Sequence, residues 1–157
     1  MLSAEAIEKI EVELTKYPAD RRQAAVMSAL RIVQTECGWL SPECISDVAK
    51  YLRIPEIAAL EVATFYNMYD LEPVGKYKIT ICTNISCMLR DSDVIVNHLQ
   101  TKLGVGFNEV TPDGKFCLKE GECMGACGGA PLMLVNNHSM HEFLTPESVD
   151  QILEALE

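Results

Sequence analysis

Two close pairs of cysteines, Cys82/Cys87 and Cys123/Cys127, constrain this protein more than any other feature. Four residues separate the members of the first pair, three separate those of the second, and 35 lie between the pairs. A fold that uses all four thiols together must bring two distant loops to one place. The sequence holds seven cysteines, an odd number, and its first residues, Met1-Leu2-Ser3-Ala4-Glu5, lack the basic start and apolar run of a secretory signal. A disulfide framework therefore fits poorly, and a metal or cluster site in a reducing compartment fits better.

The pattern around those pairs shows what kind of scaffold is available. Up to residue 70 the apolar positions follow helical spacing. Ile7, Ile10, Leu14 and Tyr17 form one stripe, from Ser3 to Tyr17, which Pro18 ends. Val26, Leu30, Val33 and Cys37 form a second, from about Asp20 to Gly38. Ser41-Pro42-Glu43 reads as an N-cap, an N1 proline and an early acid, opening a third helix with Ile45, Val48, Ala49 and Leu52 inside. Pro55-Glu56 opens a fourth, through Ala59 and Val62 towards Tyr66. Residues 1–70 are thus expected to form a small helical bundle, without a catalytic constellation. Cys37 and Cys44, in or beside the apolar stripes, read as buried thiols acting as small hydrophobes.

Residues 71–76 read as a linker, after which the period changes to two. Tyr77, Ile79 and Ile81 alternate with Lys78, Thr80 and Cys82 as a strand. Asp91 or Ser92 caps a helix that reaches Leu103, with Gly104 just beyond. A strand is expected near Val110, then the turn Asp113-Gly114 leads to Phe116 and Leu118. After a glycine-rich loop over 121–129, Leu132–Val135 reads as a buried strand, Asn136-Asn137 as a turn and Met140–Leu144 as the hairpin partner. Thr145-Pro146-Glu147 opens a last helix with Val149, Ile152, Leu153 and Leu156 on one side. Strand, helix, strand, hairpin and closing helix are the element order of a thioredoxin-like domain over 77–157. The expected class is α+β, a helical bundle followed by that domain.

In such a domain the loop after the first strand and the loop before the hairpin lie at the same end of the sheet. Four thiolates converging there suit a [2Fe–2S] cluster, which needs two per iron. Gly121, Gly125, Gly128 and Gly129 would let backbone N–H groups approach the sulfurs, while Ala126 and Ala130 keep the loop tight. A Cys₄ zinc site accepts the same spacing and stays open at this point. A thioredoxin-type dithiol is weaker, since no C-x-x-C occurs, and the plant-type ferredoxin spacing is absent as well. A Rieske centre needs two histidine ligands, whereas His98, His138 and His141 are not paired with cysteines and read as surface or helix residues. Cys117 reads as a strand residue facing away from Phe116 and Leu118.

Other functions are disfavoured. Thirteen basic against 23 acidic residues give a formal charge of −10, which argues against a nucleic-acid binder. Apolar runs such as Ala24–Met27 and Leu132–Val135 are too short to enter a bilayer as a span. There is neither a G-x-G-x-x-G nor a Walker A loop, so the sequence shows no nucleotide site and is not expected to be a complete enzyme.

Four segments carry a family resemblance. Cys82-Thr83-Asn84-Ile85-Ser86-Cys87, Thr111-Pro112-Asp113-Gly114-Lys115-Phe116, and Glu122-Cys123-Met124-Gly125-Ala126-Cys127 with Ala130-Pro131 resemble the thioredoxin-like [2Fe–2S] subunit of bacterial NADH–quinone oxidoreductase, respiratory complex I. Val62-Ala63-Thr64-Phe65-Tyr66 resembles the other characteristic segment of that family. The resemblance implies a thioredoxin-like [2Fe–2S] ferredoxin domain with Cys82, Cys87, Cys123 and Cys127 as ligands of one cluster, and no catalytic residues of its own. It implies docking to a partner that binds FMN and NADH, in the peripheral arm on the cytoplasmic side of a membrane-bound translocase, with no insertion into the membrane. Cys117 stands at a position that the family does not use as a ligand. The same type of protein serves in NAD-linked hydrogenases and formate dehydrogenases, and a zinc-stapled interaction domain is the alternative from a different class.

Overall fold

In a computed structural model of the protein, which describes residues 1–156, the polypeptide forms two compact units that divide between Pro73 and Val74. The first unit is helical. Helix α1 spans Ala4–Leu14, and the Ser3 hydroxyl caps it by accepting from the Ala6 N–H. It stops before Tyr17 because the backbone tightens early: Lys16 and Tyr17 donate to the carbonyls of Glu13 and Leu14, and the Thr15 hydroxyl donates to Val12. Tyr17 therefore lies exposed beyond the helix rather than on its buried stripe. A 3₁₀ turn, Arg22–Ala25, leads into α2, Val26–Cys37, which ends where Gly38 takes φ +81°. Helices α3, Pro42–Leu52, and α4, Glu56–Phe65, complete the unit. Its core holds Ile10, Leu30, Leu40, Val48 and Leu52, all essentially inaccessible.

One expectation fails here. Cys37 is exposed and Cys44 only half-buried, so they are not the two core thiols the apolar stripes pointed to. The stripe of α2 buries Val26, Ala29, Leu30 and Val33, but Cys37 is the last helical residue and the backbone turns away at Gly38.

The second unit is built on a five-stranded sheet. Strands β1, Tyr77–Cys82, and β3, Phe116–Gly121, pair in parallel, and the sheet order is β2-β3-β1-β4-β5 with β2 at Glu109–Val110, β4 at Met133–Val135 and β5 at Ser139–His141. The remaining pairs are antiparallel. A parallel neighbour requires a crossover, which is made through a one-turn helix, α5, Ile85–Met88, and a longer one, α6, Ser92–Leu103. Helix α7, Pro146–Ala155, closes the unit, with a reciprocal capping box between Thr145 and Ser148. Ile79, Ile81, Leu118 and Met133 of the sheet share a core with Ile95 and Leu99 of α6 and with Val149 and Leu153 of α7. His98 of α6 meets Asp150 of α7 at 2.8 Å, and Lys102 reaches the same carboxylate at 3.2 Å.

The hairpin is shorter than its hydrophobic pattern. Asn136 and Asn137 both have positive φ, as a two-residue hairpin turn demands. Phe143, expected inside the returning strand, has φ +52° and leaves the ladder. Its N–H donates to the Gly129 carbonyl at 2.6 Å, and Leu144 donates to Pro131 at 3.0 Å, so the segment after β5 is drawn towards the cysteine loop. No helix among the described residues is long and apolar enough to cross a membrane.

Candidate metal centre

Because β1 and β3 are parallel and in register, their carboxyl ends lie side by side. Cys82, the last residue of β1, stands opposite Gly121, the last of β3, and Cys123 follows two residues later. This pairing brings the start of the Cys123 loop beside the end of the Cys82 strand, although 35 residues separate the two thiol pairs. Three hydrogen bonds hold the two loops in place. The Thr83 N–H donates to the Gly121 carbonyl at 3.1 Å, the Thr83 hydroxyl to Glu120 at 2.8 Å, and the Asn84 side-chain amide to Glu122 at 2.7 Å. Gly121 has no room for a side chain, since a Cβ would lie 2.6 Å from the Thr80 methyl and 2.8 Å from the Met124 methyl.

The four thiols occupy two different environments. Cys82 and Cys87 are buried at 2% and 1% exposure, in an apolar nest with Ala130 and Leu132 against which Met124 and Ala126 pack. The short helix α5 points Cys87 into that nest, and this helix was not legible as an element in the sequence. Burial, followed by a hydrogen bond with Cys82, pushes the Cys87 thiol up to about 11. A backbone hydrogen bond from Leu132 pulls it the other way, and nearby Cys127 adds to the upward shift. Cys123 and Cys127 are exposed, with sulfurs 3.4 Å apart.

The glycines of the loop divide their roles more sharply than expected. Gly125, at φ +81°, directs its N–H to the Cys123 sulfur at 3.4 Å. The Gly129 N–H instead bonds the Ala126 carbonyl, in a 3₁₀ turn over Cys127–Gly129. Gly129 is needed for space, because a Cβ there would meet the Glu142 carboxyl carbon at 2.5 Å. A cis Ala130–Pro131 bond leads from the loop into β4. Cys117 is buried on the face of β3 opposite Phe116 and Leu118, away from the other thiols of this site. His138 and His141 lie in the hairpin, and neither joins the cysteines.

This donor set fits a [2Fe–2S] cluster. Two thiol pairs match the need for two ligands per iron, and the N–H group of Gly125 already addresses the Cys123 sulfur.

A thioredoxin-like sheet with paired cysteines at the ends of its parallel strands defines a class, and the comparisons agree. The protein belongs to the thioredoxin-like [2Fe-2S] ferredoxin family, whose model matches residues 10–157. Within that class, three relatives are subunits of NADH-quinone oxidoreductases. It is 43% identical over 144 residues to a subunit of the NADH-quinone oxidoreductase of Rickettsia bellii, covering 91% of this sequence and 86% of the relative. It is 41% identical to a subunit of the NADH-quinone oxidoreductase of Rhizobium meliloti, with 94% and 86% covered. It is 37% identical to a subunit of the NADH-quinone oxidoreductase of Thermus thermophilus, with 94% and 81% covered. Among solved structures, an NAD+-reducing [NiFe]-hydrogenase in the air-oxidized state shares the fold, with TM-score 0.71 at 18% identity, over 89% of this protein and 24% of that one.

Proposed function

We propose that the protein is the [2Fe–2S] electron-transfer subunit of an NADH-quinone oxidoreductase, with Cys82, Cys87, Cys123 and Cys127 holding one cluster. What supports this reading is the parallel pairing that sets Cys82 opposite Gly121, two residues before Cys123, with the Cys123 and Cys127 sulfurs 3.4 Å apart, in a protein 37–43% identical to subunits of that complex. The hydrogenase likeness is one of fold at 18% identity, so the quinone-linked complex is the preferred host.

A [2Fe–2S] cluster bound here supplies reversible one-electron transfer. The protein itself provides a dry inner wall, formed by Ala130 and Leu132 around the buried pair, and an outer pair that faces solvent. The N–H group of Gly125 supplies a positive dipole end to the Cys123 sulfur, which carries negative charge when ligated. Beside Cys87, Ile85 and Met88 of helix α5 and Leu89 just after it are exposed, at 66%, 49% and 73%. On α4 the side chains of Ile57, Leu60 and Phe65 are exposed too. Apolar side chains exposed in this number are characteristic of contacts between subunits, and we assign them to docking.

The partner is the subunit that binds FMN and NADH. NADH gives up two electrons as a hydride, and this protein takes one at a time, so a flavin-bearing neighbour is required to divide them. The protein is therefore part of an enzyme and belongs in its peripheral arm, on the cytoplasmic side. The test is anaerobic mixing of the cluster-loaded protein with NADH while the visible bands are followed. No bleaching is expected from NADH alone, and rapid bleaching once the flavin subunit is added. Rapid bleaching without the partner would overturn the reading, and a colourless protein holding zinc would replace it with a structural metal site.

A further inference from the structure

The two thiols that the cluster site leaves aside in the helical unit form a pair of their own. The Cys44 thiol points at the Cys37 sulfur across 3.7 Å. Cys37 is the last residue of α2 and Cys44 lies in the first turn of α3, seven positions on, so the short turn between two packed helices brings them together. Within that turn Gly38 takes a left-handed conformation, and Leu40 and Ser41 are held by the Asp70 carbonyl and the Cys44 N–H. The amino terminus is fastened to the same corner: the Ser3 hydroxyl donates to Glu36 at 2.8 Å, and the Met1 ammonium pairs with Asp47. Three helix ends meet around the two sulfurs.

We propose that Cys37 and Cys44 are a redox-active dithiol that closes to an intramolecular disulfide by exchange with a low-molecular-weight disulfide. Cys37, the exposed member, attacks a small disulfide RSSR to give a mixed disulfide and release one thiol RSH. Cys44, already in contact, attacks the Cys37 sulfur and expels the second RSH. The two cysteines lose two electrons and two protons in all, and the small disulfide gains both. Closing the bond asks the sulfurs to approach from 3.7 Å to about 2.0 Å. A disulfide there would tie the end of α2 to the start of α3, independently of the cluster. A lone thiol in a core would show neither the partner nor the exposure.

The sequence provides a clean readout. No lysine or arginine lies between Arg31 and Lys50, so trypsin releases both cysteines in one peptide, residues 32–50. The only tryptophan, Trp39, lies between them and reports on the turn by fluorescence. The cluster-loaded, full-length protein is equilibrated anaerobically with reduced and oxidised glutathione at a series of ratios. The expected result is that the 32–50 peptide loses two hydrogen atoms in a single two-electron transition. Trp39 emission should change in parallel, dithiothreitol should reverse both, and the visible cluster bands should stay constant. In Cys44→Ser a glutathione adduct on Cys37 should persist, because nothing resolves it. A peptide that stays reduced at every ratio, a persistent Cys37 adduct in the unmodified protein, or an intermolecular dimer through this peptide would each overturn the proposal.

Discussion

The Asn84 side-chain amide donates to the Glu122 carboxylate at 2.7 Å, and this bond ties the loop of Cys82 and Cys87 to the loop of Cys123 and Cys127. Neither residue is a proposed ligand. A hydrogen bond to a charged group is worth about 1.5–3 kcal/mol before solvent exposure weakens it, and this pair is exposed, so about 1 kcal/mol is expected. Asn84→Ala should keep its cluster but lose it in air several-fold faster, as read by decay of the visible bands. Asn84→Asp sets two carboxylates together and should be worse than alanine. Equal decay in all three proteins would show that the bond does not restrain the loops.

The ligand assignment separates the seven cysteines into two groups. Serine at Cys82, Cys87, Cys123 or Cys127 should deplete iron and sulfide. Serine at Cys37, Cys44 or Cys117 should leave both unchanged, since Cys117 is buried on a different part of the sheet and the other two lie in the helical unit. Full retention in Cys123→Ser would refute the assignment.

Gly75 just before β1 is another point of close approach. A Cβ there would lie 2.9 Å from the carbonyl carbon of Phe116, a backbone atom that cannot swing aside. Gly75→Ala should cost about 1–3 kcal/mol, the usual range for overpacking. Chemical unfolding of the second unit, followed by the visible cluster bands, measures it. A variant as stable as the parent would mean that the β1–β3 edge relaxes freely.

Alkaline stability of the helical unit should depend on Tyr69. Its hydroxyl donates to the Met27 carbonyl at 2.8 Å, and burial, with a smaller upward push from Tyr66 set against a downward pull from Arg31, moves its ionisation up to about 12. The unfolded phenol ionises near its ordinary value of 10.0. Between those two values the unfolded protein has released the proton and the folded protein has not, so stability falls as pH rises. The contribution is complete below pH 10 and disappears through pH 12. Tyr69→Phe should flatten this alkaline loss while costing about 1 kcal/mol at neutral pH from the missing hydrogen bond. Urea titrations monitored by Trp39 at neutral and alkaline pH compare the two proteins, and an unchanged alkaline slope would assign the effect elsewhere.

Much of this molecule was decided within a few residues at a time. Ser41-Pro42 and Gly38 mark helix boundaries because a cap hydroxyl, a missing N–H and a left-handed φ act locally. The alternation of β1 and the Asn136-Asn137 turn follow from strand pleat and turn geometry in the same way. The thiol spacing named the candidate donors without any coordinates. Other features needed contacts between residues far apart in the sequence. Phe143 breaks its strand because Gly129 claims its N–H. The one-turn α5 is too short to carry a periodic signal, yet it buries Cys87. Cys37 sits on an apolar stripe and is nonetheless exposed, because a stripe records which face is apolar and not where the covering element ends. Local patterns specify what each segment prefers. Only the parallel pairing of β1 with β3 could set the Cys123 loop beside Cys82, and only the packing of α2 against α3 could bring Cys37 to Cys44, because those distances depend on segments joined through long or sharply turned connections.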